Sequence, residues 1–312
     1  MPRQARIDAP GALQHIIIRG IERRTIFKND TDREDFIDRL GNLLQETETA
    51  CYAWACYAWA FMTNHVHLLL RTGATSISTV MRRLLTGYAV SFNRRHRRYG
   101  HLFQNRYKSI LCEKDPYLKQ LVGCIHLNPF RAGIVETVQA LRTYPFSGHC
   151  ALMGKKDILW QNTAYVLALF GKTVADAQKS YADYVSKCAG AGRRPELTGG
   201  GLIRSAGGWR AIRAAYEAGI RLTSDERILG SSSFVEETLA SAGEDYDRWM
   251  RLKACVSRAV GRVQADQALK KMSKTLLISS VTGGRSPPYI NYTGINHGRH
   301  QSPLSREFLT LF

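Results

Sequence analysis

The chain has 312 residues, 44% of them apolar, and carries 44 Lys and Arg against 26 Asp and Glu, a formal net charge of +18 with histidine neutral. That length suits about two domains, and the apolar fraction argues against a disordered chain. The charge points to a polyanionic partner, nucleic acid first and an anionic membrane surface second. Its distribution supports this: Thr49 to Cys112 holds nine Lys or Arg and no Asp or Glu, whereas a solvated face mixes signs. Seven cysteines, an odd count with no Cys-x-x-Cys spacing, speak against a disulfide framework or zinc knuckle and suit a reducing cytoplasm. The start, Met1 to Gln4, leads into no apolar signal core. The longest apolar run, Ala50 to Met62, is too short for a bilayer span. A soluble, cytoplasmic protein without membrane contact is expected.

In chain order, Gln14 to Arg19 (QHIIIR) reads as a strand whose continuously apolar centre places it inside a sheet. A basic connector follows, and Asp30 to Leu44 reads as a helix with apolar residues at Phe36, Ile37, Leu40, Leu43 and Leu44. The pentapeptide Cys-Tyr-Ala-Trp-Ala occurs at 51–55 and again at 56–60. An odd-length repeat inverts the facing of a strand, so only the second copy is expected to pair. Thr63-Asn64 reads as a turn and His65 to Arg71 as the next strand. Ser78 to Phe92 reads as a helix, Asn93 to Gly100 as a basic loop, and Ser109 to Cys112 as a short strand. A helix starting at Asp115-Pro116 is expected to end near Asn128, because Pro129 disfavours helix in the residue before it. Further on, Tyr165 to Tyr184, Trp209 to Gly219, Ser233 to Ala242 and Arg248 to Leu277 read as helices. Ala189 to Gly208 reads as a connector, and residues 279–312, with three Pro and four Gly, as a poorly ordered tail.

The centre of interest is Asn64-His65-Val66-His67-Leu68-Leu69-Leu70. A strand sends residues two apart to one face, so His65 and His67 point the same way and form half of a metal site. An isolated His-x-His is more simply the polar face of an amphipathic strand. On the helix after Pro116, Cys124 and Asn128 are four apart and share a face. The Asn128 amide oxygen is then a candidate third ligand, against the plainer reading of a helix-terminal Asn before Pro. Two imidazoles and one oxygen leave open positions on Mg²⁺ or Mn²⁺, suited to polarising a phosphate oxygen. His126 lies off that face and is expected to be structural. The candidate nucleic-acid surface runs from Arg82 to Lys108: Arg82, Arg83, Arg94, Arg95, Arg97, Arg98, Phe103, Gln104, Arg106, Tyr107 and Lys108. Cations meet phosphates there, and flat rings stack on unpaired bases for about 1–3 kcal/mol each. The alternatives are an exposed loop that binds nothing and aromatics that pack in the core.

These stretches resemble one family. QHIIIRG (14–20), FMTNHVHLLLRTG (61–73), LLTGYAVSFNRRHRRYGHLFQNRYKS (84–109) and DPYLKQLVGCIHLNPFRAGIV (115–135) are similar to the single-tyrosine HUH transposases, most of all to REP-associated tyrosine transposases. Residues 165–245, including RRPELTGGGLIRSAGGW (193–209), resemble the extension of longer members. The resemblance implies an α+β, ferredoxin-like antiparallel sheet with helices on one face, followed by a mainly helical extension. It implies three regions: 1–150 as the single-stranded-DNA-binding domain, 151–278 as an accessory DNA-binding extension, and 279–312 as the tail. It also implies a monomer or homodimer acting on hairpin or palindromic single-stranded DNA with a divalent metal and no nucleotide or organic cofactor. Family members cut through a 5′-phosphotyrosine; His65 and His67 match the paired histidines and Asn128 the third ligand.

The nucleophile position departs from the pattern. Cys124 stands where the family has tyrosine, directly before Ile125-His126-Leu127-Asn128-Pro129. A thiolate is a poor substitute for a phenolate at a phosphodiester. Tyr117 lies two helical turns earlier, roughly 10 Å along the axis. Three readings follow: a transposase, a non-catalytic DNA-binding regulator on the same scaffold, and an RNA-binding module sharing the sheet and the basic–aromatic surface.

Overall fold

The structure is a computed structural model that describes residue 7, residues 11–46, 55–73, 75–192, 194, 197, 199, 201, 209–219 and 222–242. Five strands, β1 (Leu13–Arg19), β2 (Ala55–Phe61), β3 (His65–Arg71), β4 (Lys108–Cys112) and the two-residue β5 (Ile228–Leu229), form one sheet in the order β2-β3-β1-β4-β5. The first four pair antiparallel, and β5 joins the edge in parallel. The run Ile16–Ile18 does occupy a central strand, with β3 on one side and β4 on the other.

Alternation sorts the strand side chains to two cores. Ile16, Ile18, Val66, Leu68 and Leu70 face helices α1 (Asp30–Glu46) and α2 (Ile77–Arg95). Leu13, Leu69, Ile110 and Cys112 face the other way. Strand β2 keeps this sorting by means of a bulge between Cys56 and Ala58, opposite Leu70 and Leu69. Tyr57 and Ala58 therefore both belong to the second core, while Cys56, Trp59 and Phe61 belong to the first. The bulge absorbs one residue that would otherwise turn the apolar set inside out. The second CYAWA copy thus lies within β2, which begins one residue earlier, at Ala55 of the first copy, paired with Arg71; residues 51–54 lie outside the described residues.

The order β1-α1-β2-β3-α2-β4 is the expected ferredoxin-like arrangement, with α1 and α2 on one face. The opposite face is covered as well, and β5 makes the sheet mixed. Helices α3 (Lys114–His126), α5 (Gly148–Leu152), α6 (Thr163–Ala168) and α7 (Val174–Gly190) pack there through Leu121, Ile125, Leu152, Val166, Tyr181 and Val185. Close approach of α7 depends on Gly123, where an added Cβ would lie 2.8 Å from the Tyr184 ring. Helix α8 (Trp209–Glu217) and a helix α9 over 232–242 match the expected positions. Among the described residues no helix is long and apolar enough to cross a membrane.

Two boundaries, and the stretch after α3, differ from the sequence reading. Helix α2 continues to Arg95, so the basic loop starts later. The single helix expected over 165–184 is two, because Gly171 abuts the Ala177 backbone and Thr173 caps α7 through Asp176. Helix α3 ends at His126, close to the expected end near Asn128, but no loop follows: Leu127 keeps right-handed helical torsions and α4 (Asn128–Arg131) begins, with Pro129 in its first turn, where a missing N–H costs nothing. The helix expected at 248–277 and the tail lie outside the described residues.

Asp32, fully buried at the start of α1, ties the two helices of the first face together. Its carboxylate accepts from Lys28 N (2.8 Å), Arg95 Nη1 (2.6 Å) and His96 Nε2 (2.9 Å). Burial works to raise its pKa, but the hydrogen bonds from His96, Lys28 and Arg95 prevail and hold it below the ordinary carboxylate value. The folded state therefore favours the ionised form. The stabilisation is present above the unfolded pKa and is lost as pH falls through the lower folded one. Asp32→Asn should lower the unfolding free energy by about 3 kcal/mol near neutral pH, read by urea denaturation. The gap to the native chain should narrow below about pH 4.

Candidate functional site

The pairing of β1 with β3 sets His67 opposite Ile17 and His65 opposite Arg19, all on the second face of the sheet. There they border a cleft of about 670 Å³. The connection into β4 adds Gln104, Asn105, Arg106 and Lys108, helices α3 and α4 add Cys124, Asn128, Arg131 and Ala132, and Arg194 comes from beyond α7. None of the residues lining the cleft is acidic, while Arg19, Arg106, Lys108, Arg131 and Arg194 are cationic. A low-dielectric cleft of one sign concentrates counter-charge.

The two imidazoles are fixed from behind. His65 Nδ1 lies 2.7 Å from Asn64 Oδ1, an acceptor, so Nδ1 carries the proton and Nε2 the lone pair. His67 Nδ1 lies 2.9 Å from Nε2 of His15, which is itself buried on β1 two residues before Ile17. Burial, helped by the positive charge of Arg19, brings His65 down to about 4. Burial and the neighbouring His15, His65 and Arg19 push His67 well below its ordinary value. His15 is lowered to about 4 by burial, partly offset by the backbone of Leu197 and reinforced by Lys108. All three are neutral at physiological pH, the form in which imidazole binds metal. Among the described residues no group of three His, Cys, Asp or Glu could hold a metal ion. A third ligand here would have to be of another type, and Asn128 in the same cleft offers an amide oxygen.

Cys124 is 8% exposed and borders this cleft, and Arg131 Nη1 donates to its Sγ at 3.4 Å. Tyr117 is not among the lining residues; it is half-buried against the second core, where burial raises its pKa. His126 is structural, as expected: it is buried, and its Nδ1 lies 2.7 Å from the Tyr181 hydroxyl, which also meets His149 Nδ1 at 2.8 Å.

The predicted nucleic-acid surface divides. Gln104, Arg106 and Lys108 border the cleft. Arg82, Arg83, Arg94, Arg95, Arg97 and Arg98 do not, since α2 and its following loop belong to the opposite face of the sheet. Arg83 pairs with Glu46 and Arg95 with Asp32 and Asp35. Arg98 donates to Asn93 Oδ1 and to the His101 carbonyl, shaping the loop. Arg82, Arg94 and Arg97 are exposed. Tyr107 is buried, and Phe103 packs on the first core with its ring 6.2 Å from Tyr88, so both aromatics have the core-packing role. Sequence reasoning missed Arg19, Asn105, Arg131 and Arg194. Arg19 had a signal, since it stands two residues from Ile17 on the face that alternation gives to the pair. Arg131 stands seven residues after Cys124, the same helical stripe once Leu127 is known to be helical.

Comparison with known proteins finds similarity in the region that carries the histidine pair. Residues 11–126 match the family model for IS200-like transposases. That match runs from just before β1 to the end of α3 and so takes in the strand that carries the paired histidines. A solved structure of a REP-associated tyrosine transposase bound to a REP hairpin is also similar, at 13% identity and a TM-score of 0.40, over 52% of this chain and 98% of that one. The search of curated proteins gave no match.

The division of the arginines has a measurable consequence. Arg95→Ala leaves the buried Asp32 charge short of a partner and should cost about 2 kcal/mol of stability, since the pair is partly solvent-screened. Arg94→Ala and Arg97→Ala should each stay within about 0.5 kcal/mol of the native chain, as exposed substitutions do. Denaturant midpoints of the three variants check this.

Proposed function

We propose that the chain binds single-stranded DNA, in hairpin or palindromic form, along the cleft at His65 and His67, together with a divalent ion, Mg²⁺ or Mn²⁺. The observation that carries this reading is the convergence of two neutral imidazoles, the Asn128 amide and five cationic side chains in one cleft free of acidic lining residues. The donor set fits such an ion. Asn64 holds the His65 proton on Nδ1, and a His67 Nδ1–H donated to His15 leaves Nε2 of both rings able to ligate. Bound there, the ion would polarise a phosphate oxygen. The chain's own residues would do the rest: Arg19, Arg106 and Lys108 neutralise backbone phosphates, and Gln104 and Asn105 offer hydrogen bonds beside them.

Cutting is a separate matter. The family's reaction needs a phenol at the position of Cys124. The thiol is shorter, and it is engaged by Arg131. We read this chain as a transposase-like DNA-binding protein whose strand cleavage is disabled at that residue, the regulatory reading being favoured by Cys124 itself. A labelled single-stranded hairpin with Mn²⁺ tests it. The native chain should form no covalent protein–DNA band, while Cys124→Tyr should form one. A covalent band with the native chain overturns the reading and moves attention to Tyr117→Phe. His67→Ala should abolish metal binding by calorimetry while keeping most of the salt-dependent DNA affinity; equal loss of both would rule out the separate roles.

A further inference from the structure

One wall of the cleft comes from beyond residues 11–126. Arg131, on α4, turns its guanidinium towards the end of α7. Its Nη2 donates to the carbonyls of Cys188 (3.2 Å) and Gly192 (2.6 Å) while Nη1 meets Cys124 Sγ. The last carbonyls of a helix lack intrahelical partners and carry its negative end, so a guanidinium is well matched to them. Two residues past Gly192, Arg194 borders the cleft, half-buried. Three residues further, Leu197 is buried in the second core, and its N–H donates to the Arg194 carbonyl at 3.2 Å. Arg194 is therefore held between two anchors, Gly192 on Arg131 and Leu197 in the core.

This fixed cation stands in a cleft that already contains Arg19, Arg106 and Lys108 and has no acidic residue in its lining. Gathering like charges in a partly buried cleft costs free energy that a bound polyanion relieves. Arg106 and Lys108 approach from the β4 side, and Arg194 from the side of α3 and α7. A strand of nucleic acid lying over His65 and His67 would have cations on both flanks. An arginine whose backbone is already anchored loses less freedom when it meets a phosphate than one on a mobile loop.

We infer that Arg194 is a phosphate-contacting residue of the cleft and that Arg131 is the positioning residue that holds its segment in place, so the chain beyond α7 supplies part of the nucleic-acid site. The inference rests on the DNA-binding reading above, and the experiment separates the two. Fluorescence anisotropy of a labelled single-stranded hairpin is measured against salt for the full chain and for Arg194→Gln, Arg194→Glu, Arg106→Gln, Arg131→Ala and the double variant Arg131→Ala/Arg194→Gln.

Arg194→Gln should weaken binding several-fold at about 100 mM salt and reduce the slope of log affinity against log salt by about 0.7, the value of one single-strand phosphate contact. Arg194→Glu should weaken it further. Adding Arg131→Ala to Arg194→Gln should cost less than Arg131→Ala alone, because both act through one side chain. If Arg106→Gln lowers affinity and slope while Arg194→Gln leaves both at native values, the role of Arg194 is overturned and the DNA-binding reading stands. Strict additivity overturns the positioning role of Arg131. A native chain that does not bind the hairpin overturns the reading and the inference together.

Discussion

The register of β1 on β3 is the constraint on which the site depends. Because side chains alternate with a period of two, a slip of one residue would send His65 and His67 into the apolar core with α1 and α2, and expose Val66 and Leu68. The pairing Ile17↔His67 and Arg19↔His65 avoids this, and both faces being covered makes any slip costly. The same register brings His15 onto the face of His67, two residues along, where it can hold the imidazole from behind. Register thus fixes the identity of the site residues, and the second neighbour on the strand fixes their ring orientation.

Helix continuity sets the opposite wall. Were the chain to break at Pro129, Asn128 would start a loop and Arg131 could sit anywhere. Instead Leu127 stays helical and Cys124, Asn128 and Arg131 fall at i, i+4 and i+7, one stripe bordering the cleft. Gly123, beside that stripe, admits Tyr184 and so lets α7 deliver its terminal carbonyls to Arg131. A small residue on α3 and a tolerated proline on α4 together determine how closely the later chain approaches the cleft.

Most of the sheet was legible in the sequence because its signals are local: period-two alternation, a continuous apolar centre for β1, a turn before His65. The His65–His67 pair was legible for the same reason. The covering of the second face was not, because it depends on residues such as Tyr181 and Val185, whose helical pattern says that they are buried but not against what. The arginines show the limit most clearly. Arg94, Arg95, Arg97 and Arg98 form one basic run in the sequence, yet Arg95 closes on the buried Asp32, more than sixty positions earlier in the chain, and Arg98 folds onto its own loop. Charge clustering along a chain reports composition; only the fold decides which cations face a ligand and which are satisfied internally. Arg19 and Arg194, single cations in unremarkable surroundings, reach the cleft instead.

The departure at Cys124 then has a physical reading. The groups that hold the histidines are Asn64 and His15, and the cations are supplied by β1, the approach to β4, α4 and the chain after α7. None of these contacts runs through the side chain at position 124 except Arg131, which reaches past it to the α7 carbonyls and keeps two partners there whatever the third is. The side chain at 124 therefore borders the cleft without holding the histidines in place. In this fold the placement of the paired histidines and of the cleft's cations is physically separable from the identity of the side chain at the buried position 124.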